Sequence, residues 1–322
     1  MGLRDALAID RPQSVRAITG AIREQVLGTL RRRGVVLGLS GGVDSSVVAA
    51  LCQRALGPDR VLGLLMPERA GEEDALRLGR QVAEQLGIRS LVEVIGPTLE
   101  AVGCYARQTD AIRRVVPEYG EGWGCKLVLG PEARGLSVYQ LTVQDPAGAC
   151  RTVRLVPEVL LELVAATNFK QRVRKMLEYH HADRLRYAVV GTPNRLEYDQ
   201  GFYVKNGDGA ADLKPIAHLY KTQVYALAAH FGIPEEIRTR PPTTETYSLP
   251  QTQEEFFFGL PLATLDLCLY AHDQGISTQA LAEEAGIAPA VAQAAYREIE
   301  TRRRAGAYLQ APPLLVADER GG

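Results

Sequence analysis

The apolar run Val35-Val36-Leu37-Gly38-Leu39 ends in Ser40-Gly41-Gly42-Val43-Asp44-Ser45 and passes directly into Ser46-Val47-Val48-Ala49-Ala50-Leu51. A buried strand therefore turns sharply into a helix. Gly41 and Gly42 let the backbone turn without Cβ clashes, Ser40 and Ser45 add hydroxyl donors, and the N–H groups of the first helical turn point outward. Such a loop holds an anion, and phosphate is its natural occupant. Asp44 would repel that ligand unless a cation such as Mg²⁺ lay between them, so the loop predicts a metal-bridged nucleotide. An ordinary strand-to-helix turn with a Ser or Asp cap explains part of this string but not all of it.

Further polar residues gather in the second half of the chain. Lys170, Arg172 and Arg174 are too closely spaced to share one helix face. Tyr187-Ala188-Val189-Val190-Gly191-Thr192-Pro193-Asn194 reads as a strand leading into a turn, and Glu197 follows as a second carboxylate near a strand end. Residues 201–216 place Lys205, Asp208 and Asp212 among glycines, which suits a polar binding loop better than a core.

The elements that must position these groups read as α/β. Val15, Ile18, Ile22, Val26 and Leu30 predict an amphipathic helix over residues 14–33. A second buried strand spans Arg60 to Pro67, a helix runs from Glu73 to about Leu86, and Leu91–Ile95 is the third strand. This alternation predicts a doubly wound parallel sheet with helices on both faces and ligands at the carboxyl ends of the strands. From Gly96 to Pro157 the rhythm breaks, so residues 97–157 are read as an insertion. Gly120–Cys125 reads as loop, and Ser137–Val143 and Arg151–Val156 flank Asp145-Pro146-Ala147-Gly148 as a β-hairpin. Residues 262–322 form a helical carboxyl-terminal segment of the same single domain, which spans residues 1–322.

The chain has 322 residues and a formal net charge of −1, which argues against a general nucleic-acid binder and leaves room for a substantial core. Arg31-Arg32-Arg33 reads as a solvated helix face, and Arg302-Arg303-Arg304 is a local basic cluster that could meet phosphates. Neither a signal peptide nor a long apolar run is evident, so the expected location is cytoplasmic, without membrane attachment. Five scattered cysteines without a Cys-x-x-Cys pair suit reduced thiols. His180-His181 reads as a helix-end pair rather than a ligand set.

The loop at Ser40–Ser46 resembles the pyrophosphate loop of the N-type ATP pyrophosphatases, whose members cleave ATP between the α- and β-phosphates. Asn168-x-Lys170-x-Arg172-x-Arg174, Gly191-Thr192, Glu197, Lys205–Leu213 and Pro215 then resemble, in order, the signature of the NAD synthetase family. Leu219–Val224, Arg240–Glu245 and Gln251–Glu255 continue the likeness, and Arg302–Leu315 is similar to the carboxyl-terminal segment of one branch. Family members place an acidic residue before Pro-Thr and an Asp two positions after that Thr; here Pro241 and Glu245 stand there.

The resemblance implies an adenine nucleotide alpha hydrolase-like fold. It also implies an ammonia-dependent ligase that activates the carboxylate of deamido-NAD with ATP, releases pyrophosphate and lets ammonia displace AMP. Carried over residue by residue, Ser40, Gly41, Gly42, Asp44, Ser45, Arg172, Thr192, Lys221 and Thr243 belong to ATP. Arg174, Lys205, Asp208 and Asp212 belong to deamido-NAD, Asp44 and Glu197 ligate Mg²⁺, and Lys205, Lys221 and Asp44 carry the chemistry, the two lysines facing phosphate. A homodimer is expected. About three dozen residues precede the loop, too few for a glutaminase domain, so ammonia is used free or delivered by a separate glutaminase subunit.

Three rivals remain. One is a sulfur transferase of the same superfamily using Cys104, Cys125 and Cys150, whose wide spacing is poor for a cluster. Another is a helix-turn-helix over residues 278–292, whose second helix lacks a base-reading face. The third is an amidotransferase acting on a different carboxylate, such as nicotinate mononucleotide.

Overall fold

The computed structural model describes residues 2–68, 73–130, 139–243 and 246–315. Glu245, Ser137, Val138 and the last residues of the carboxyl-terminal segment lie outside them.

Two short helices, α1 (Leu3–Ala6) and α2 (Arg11–Arg23), open the fold, and α2 continues as a π-helical stretch over Glu24–Thr29. The predicted helix thus ends a turn earlier than residue 33. Strand β1 (Val35–Gly38) leads into α3 (Val43–Leu56), β2 (Val61–Leu65), α4 (Glu73–Leu86) and β3 (Arg89–Val92). The next parallel strand, β7 (Ala188–Val189), pairs on the far side of β1, giving a four-stranded sheet in the order β3-β2-β1-β7. The order reverses beside β1, where the Ser40 loop leaves the sheet.

Both faces are covered, as the near-continuous apolar strands require. Val35, Leu37, Val61 and Ala188 pack with α2, α3 and α4 on one face, whereas Val36, Leu62 and Val189 pack against Ala182 and Tyr179 on the other. Tyr179 and Ala182 belong to α7 (Pro157–Leu185), which is 29 residues long. The third strand begins two residues earlier than predicted, at Arg89. It is the sheet edge and mostly exposed, yet Glu93 and Ile95 still donate to the Leu65 and Pro67 carbonyls, 2.9 and 3.0 Å away.

The block after β3 contains α5 (Gly96–Ala101), α6 (Cys104–Arg113) and an antiparallel sheet of β4 (Gly124–Leu129), β5 (Tyr139–Gln144) and β6 (Cys150–Arg154). The predicted hairpin is β5–β6, turned by Asp145, whose Oδ1 accepts the Ala147 and Ala149 N–H groups at 2.9 Å. The expected loop at Gly120–Cys125 is shorter than read, because β4 begins at Gly124 and pairs with β5. Cys125 and Leu127 alternate into a local core with Leu141 and Val143, and alternation over so few residues was masked by the surrounding glycines.

After β7 come α8 (Arg195–Gln200), α9 (Lys221–His230), α10 (Glu235–Thr239), α11 (Leu262–Asp273), α12 (Thr278–Ala285) and α13 (Pro289–Gln310). The helix-turn-helix outline of α12 and α13 is a packed pair: Leu281, Ala282, Ala292, Ala295 and Ile299 are buried with α11. Arg302 and Arg303 are not a free basic cluster. Arg303 donates to Asp199 and Asp273, and Arg302 to Glu298 and the Phe257 carbonyl. Among the described residues no helix is long and apolar enough to cross a membrane.

Candidate active site

The anion cradle is built as β1 ends. Gly41 has φ +76°, and a Cβ there would lie 2.8 Å from the Ala75 carbonyl oxygen, so only glycine lets the chain pass this close to α4. Gly42 caps α3, whose first-turn N–H groups and dipole favour negative charge. Ser40 Oγ accepts the Gly42 N–H at 3.2 Å and lies 3.2 Å from Ser45 Oγ, while Ser46 donates to the Gly42 carbonyl at 2.7 Å. The loop is thus held open by its own hydroxyls.

Asp44, in the first turn of α3, faces Lys221, the first residue of α9, in a buried ion pair. Asp266 fixes Lys221 by accepting the Lys221 and Thr222 N–H groups at 3.2 and 2.7 Å. Asn194 binds both carboxylates of the site. Its side chain donates to Asp44 Oδ1 at 3.1 Å, its N–H donates to Glu197 Oε2 at 3.1 Å, and its Oδ1 accepts the Glu197 N–H in a reciprocal cap of α8. Gln253 Nε2 donates to Glu197 Oε1 at 3.0 Å. Burial, and then the Asp44 charge, push the Glu197 carboxyl up to about 7 despite Lys221. For Lys221, burial alone would favour the neutral amine, but Asp44 and Glu197 outweigh it and hold the ammonium charged.

Three cavities meet here, and Ser40 and Gln171 line all of them. A space of about 210 Å³ lies over the loop between Gly41, Arg174, Arg240 and Thr243. A slot of about 140 Å³ opens at the strand ends, between Leu64–Pro67 and the buried Lys175–Glu178 pair. A chamber of about 780 Å³ extends from Asp44 and Glu197 past Lys205.

Most residues singled out in the sequence converge on these spaces. Thr192 and Asp208 border both slot and chamber, and Thr243, held by a bridge to Thr252, borders the loop space and chamber. Asp208 Oδ1 accepts the Val204 N–H at 2.7 Å, and burial raises its carboxyl. The two arginines separate: Arg174 lies at the loop, whereas Arg172 lines the chamber and donates to the Lys205 carbonyl.

Three residues sit differently from expectation. Lys221 is 1 % exposed and reaches the site through Asp44, not directly into open space. Lys205 lines the chamber, but its ammonium is 2.8 Å from the Tyr308 carbonyl oxygen and over that ring, because α13 packs there. Asp212 is outside the lining of all three cavities; its carboxylate accepts the Val189 N–H at 2.7 Å and secures β7. Gln171 was not singled out, and Asn194, Arg240 and Gln253 were named only within longer runs, with no site role of their own. The Asn194-x-x-Glu197 capping spacing was a legible signal for Asn194, but Gln253 reaches Glu197 only through tertiary packing.

The donor set suits a hard cation. Asp44 and Glu197 are held by one asparagine, and Gln253 Oε1 is buried without a hydrogen-bond partner among the described residues. Two carboxylates with an amide oxygen leave coordination positions for phosphate oxygens and water. The cysteines of the sulfur-transfer alternative do not assemble: Cys104 and Cys125 lie in separate cores and Cys150 is exposed. His181 is a helix-end residue bonded to Glu93 and Arg184.

The NAD synthase family model matches residues 14–116 and 134–310. The NH3-dependent NAD+ synthetase of Mesorhizobium japonicum is 61 % identical over 314 residues, covering 97 % of this chain and 98 % of its own. Among solved structures, the NH3-dependent NAD synthetase of Campylobacter jejuni superposes with a TM-score of 0.61 at 24 % identity, covering 96 % of this chain and all of that one. The NMN synthetase of Francisella tularensis superposes with a TM-score of 0.66 at 20 % identity, covering 96 % and 99 %. At those identities the superpositions speak for the shared fold. With the family model spanning most of its length and a relative this similar end to end, the chain belongs to the NAD synthase family.

Proposed function

We propose that this protein is a C–N ligase that amidates deamido-NAD to NAD with ATP and ammonia, releasing AMP and pyrophosphate. The observation that carries this reading is the opening of one anion cradle, with two carboxylates at its rim, into a chamber large enough for a dinucleotide, in a chain of this family.

A carboxylate is a poor electrophile and hydroxide a poor leaving group, so the acid must be activated. Its oxygen attacks the α-phosphorus of ATP, the bond to the bridging oxygen breaks, and pyrophosphate leaves. Ammonia then attacks the acyl carbon, AMP departs with that oxygen, and one proton is lost. No protein nucleophile is needed; alignment and charge neutralisation supply the rate. The N–H groups of the Ser40–Ser45 loop hold the pyrophosphate moiety, Ser40 and Ser45 orient it, and Thr243 stands beside it. Asp44 and Glu197 would hold Mg²⁺, which neutralises phosphate charge when bound. Lys221 keeps Asp44 ionised and in place.

The location of Arg174 beside the loop supports assigning it to ATP, and that of Arg172 beside Lys205 supports assigning it to the acceptor, the reverse of the apportioning from sequence. Asp208 and Lys205 serve the acceptor, and Asp212 acts through β7. The same reading includes a homodimer in the cytoplasm using free ammonia or ammonia from a separate glutaminase subunit.

The test is AMP release from ATP with ammonium and a panel of carboxylates, including deamido-NAD and nicotinate mononucleotide, repeated with Asp44→Asn. Deamido-NAD should give the largest release, and Asp44→Asn should abolish it. If deamido-NAD releases no more AMP than buffer, the reading fails. Equal use of glutamine and ammonium by the purified chain would overturn the ammonia assignment.

A further inference from the structure

Strand β4 is an edge of its sheet and pairs with β5 on one side only. An edge strand presents a row of N–H and C=O groups that need partners. Here the segment from Ser248 to Gln251 supplies them. The Cys125 N–H donates to Ser248 Oγ at 2.9 Å, the Cys125 carbonyl accepts the Leu249 N–H at 3.1 Å, and the Leu127 carbonyl accepts from Gln251 Nε2. Between the buried Cys125 and Leu127, Lys126 alternates to the other face of the strand. Its ammonium donates to the Pro250 carbonyl at 3.3 Å and to Glu255 Oε1 at 2.6 Å.

The segment so held reaches the site within two residues. Gln253 donates to Glu197 from its side chain at 3.0 Å and to the Pro242 carbonyl from its N–H at 2.9 Å, and Thr252 is bridged to Thr243. Gln251 and Glu255, two residues to either side of Gln253, are both tied to β4. A residue advances the chain by at most about 3.6 Å, so the Gln253 backbone stays within about 7 Å of each anchor. Ordering such a segment costs backbone entropy, and contacts to β4 offset that cost before any nucleotide binds. Strand β4 lies wholly within residues 117–133, the internal stretch that the family model leaves unmatched.

We infer that the open edge of β4 holds the ATP and metal side of the site in place, and that Lys126 is a positioning residue for it, acting through Pro250 and Glu255 on Gln253 and Thr243. This rests on the proposed reading of Asp44, Glu197 and Thr243 as the MgATP site. Lys126 lines none of the three cavities, so it acts on the phosphate end of the reaction from outside.

The test uses the full-length protein with Lys126→Glu, Lys126→Arg, and Lys126→Glu combined with Glu255→Lys. In Lys126→Glu, KM for ATP and the calorimetric dissociation constant for ATP with Mg²⁺ should rise about fivefold, with KM for deamido-NAD changed less than about twofold. Lys126→Arg and the exchanged pair should bring the ATP constants back to within about twofold of wild type, because each keeps opposite charges facing one another. Hydrogen exchange in the ligand-free Lys126→Glu protein should quicken over residues 246–255 and stay unchanged over β1. Ser248→Ala removes the acceptor of the Cys125 N–H; it should move exchange and ATP affinity in the same direction, and it decides the matter if Lys126→Glu does not fold. Unchanged ATP constants, an equal rise for deamido-NAD, or an exchanged pair no better than Lys126→Glu would overturn the inference. Should the wild type bind ATP yet release no AMP with deamido-NAD, the reaction assignment alone fails. Exchange and ATP affinity would still report on the anchor.

Discussion

Asp44 and Lys221 lie on different helices, α3 and α9, yet their side chains meet in a pair whose lysine is buried and whose aspartate side chain is 17 % exposed. Removing one partner leaves a buried charge alone, which costs about 3–5 kcal/mol. Lys221→Met should therefore lower unfolding free energy by that order and abolish AMP release. In a double-mutant cycle with Asp44→Asn, denaturant unfolding should show strong coupling, with the second substitution costing much less than the first. Additive losses would mean that the pair does not act as a unit.

Glu197 links stability to pH. Its folded value is raised from the usual 4.5 to about 7, so the folded protein binds this proton more tightly than the unfolded chain does. That contribution to stability is full below about pH 4.5 and is lost as pH rises through about 7. Glu197→Gln should flatten this fall in unfolding free energy. In the wild type, affinity for Mg²⁺ with ATP should rise over the same interval as the carboxylate ionises. Superimposable stability profiles for the two proteins would contradict this account of the site.

Gly41→Ala forces a left-handed φ on a residue with a Cβ and drives that Cβ toward the Ala75 carbonyl. A strain of roughly 1–3 kcal/mol is expected, relieved by distortion of the loop. The melting temperature should fall, and KM for ATP should rise at least tenfold. Retention of wild-type ATP kinetics would show that the cradle does not need this turn.

Arg172 and Arg174 should separate kinetically. Arg174→Ala should raise KM for ATP while leaving KM for the acceptor nearly unchanged, and Arg172→Ala should do the reverse. Steady-state kinetics with each substrate varied in turn checks both, and the opposite pattern would restore the apportioning suggested by sequence.

Arg303 fastens α13 to α8, where Glu197 sits, through two donors to Asp199, and to α11 through one donor to Asp273. The pair is partly exposed, so screening limits its worth. Arg303→Ala should lower unfolding free energy by about 1–2 kcal/mol and soften the Glu197 position. Thermal melts and the apparent Mg²⁺ requirement report the two effects separately.

Legibility in the sequence followed the range of the interactions involved. The cradle could be read because its residues are consecutive and each acts through its own backbone. Parallel strands with both faces buried were legible as apolar runs. Strand β4 was missed because Gly120, Gly122 and Gly130 lie close on either side of it, and its strand character comes from pairing with β5. Arg303 looked like part of a free basic cluster because its partners, Asp199 and Asp273, are remote in the chain. The contact of Gln253 with Glu197 had no local signal, although Gln251–Glu255 is one of the runs that continue the family likeness.

The sequence by itself determined the doubly wound α/β plan, the anion loop with its carboxylate, and the family, because these depend on short-range backbone geometry and on ordered local motifs. Tertiary structure alone decided that Lys221 closes on Asp44, that Asn194 ties Asp44 to Glu197, and that Leu127 of β4 and Tyr139 of β5 reach the chamber. Each of these joins side chains from separate elements, and their energies depend on burial and on approach within a few ångströms. Spacing along a chain carries neither quantity until the chain has packed.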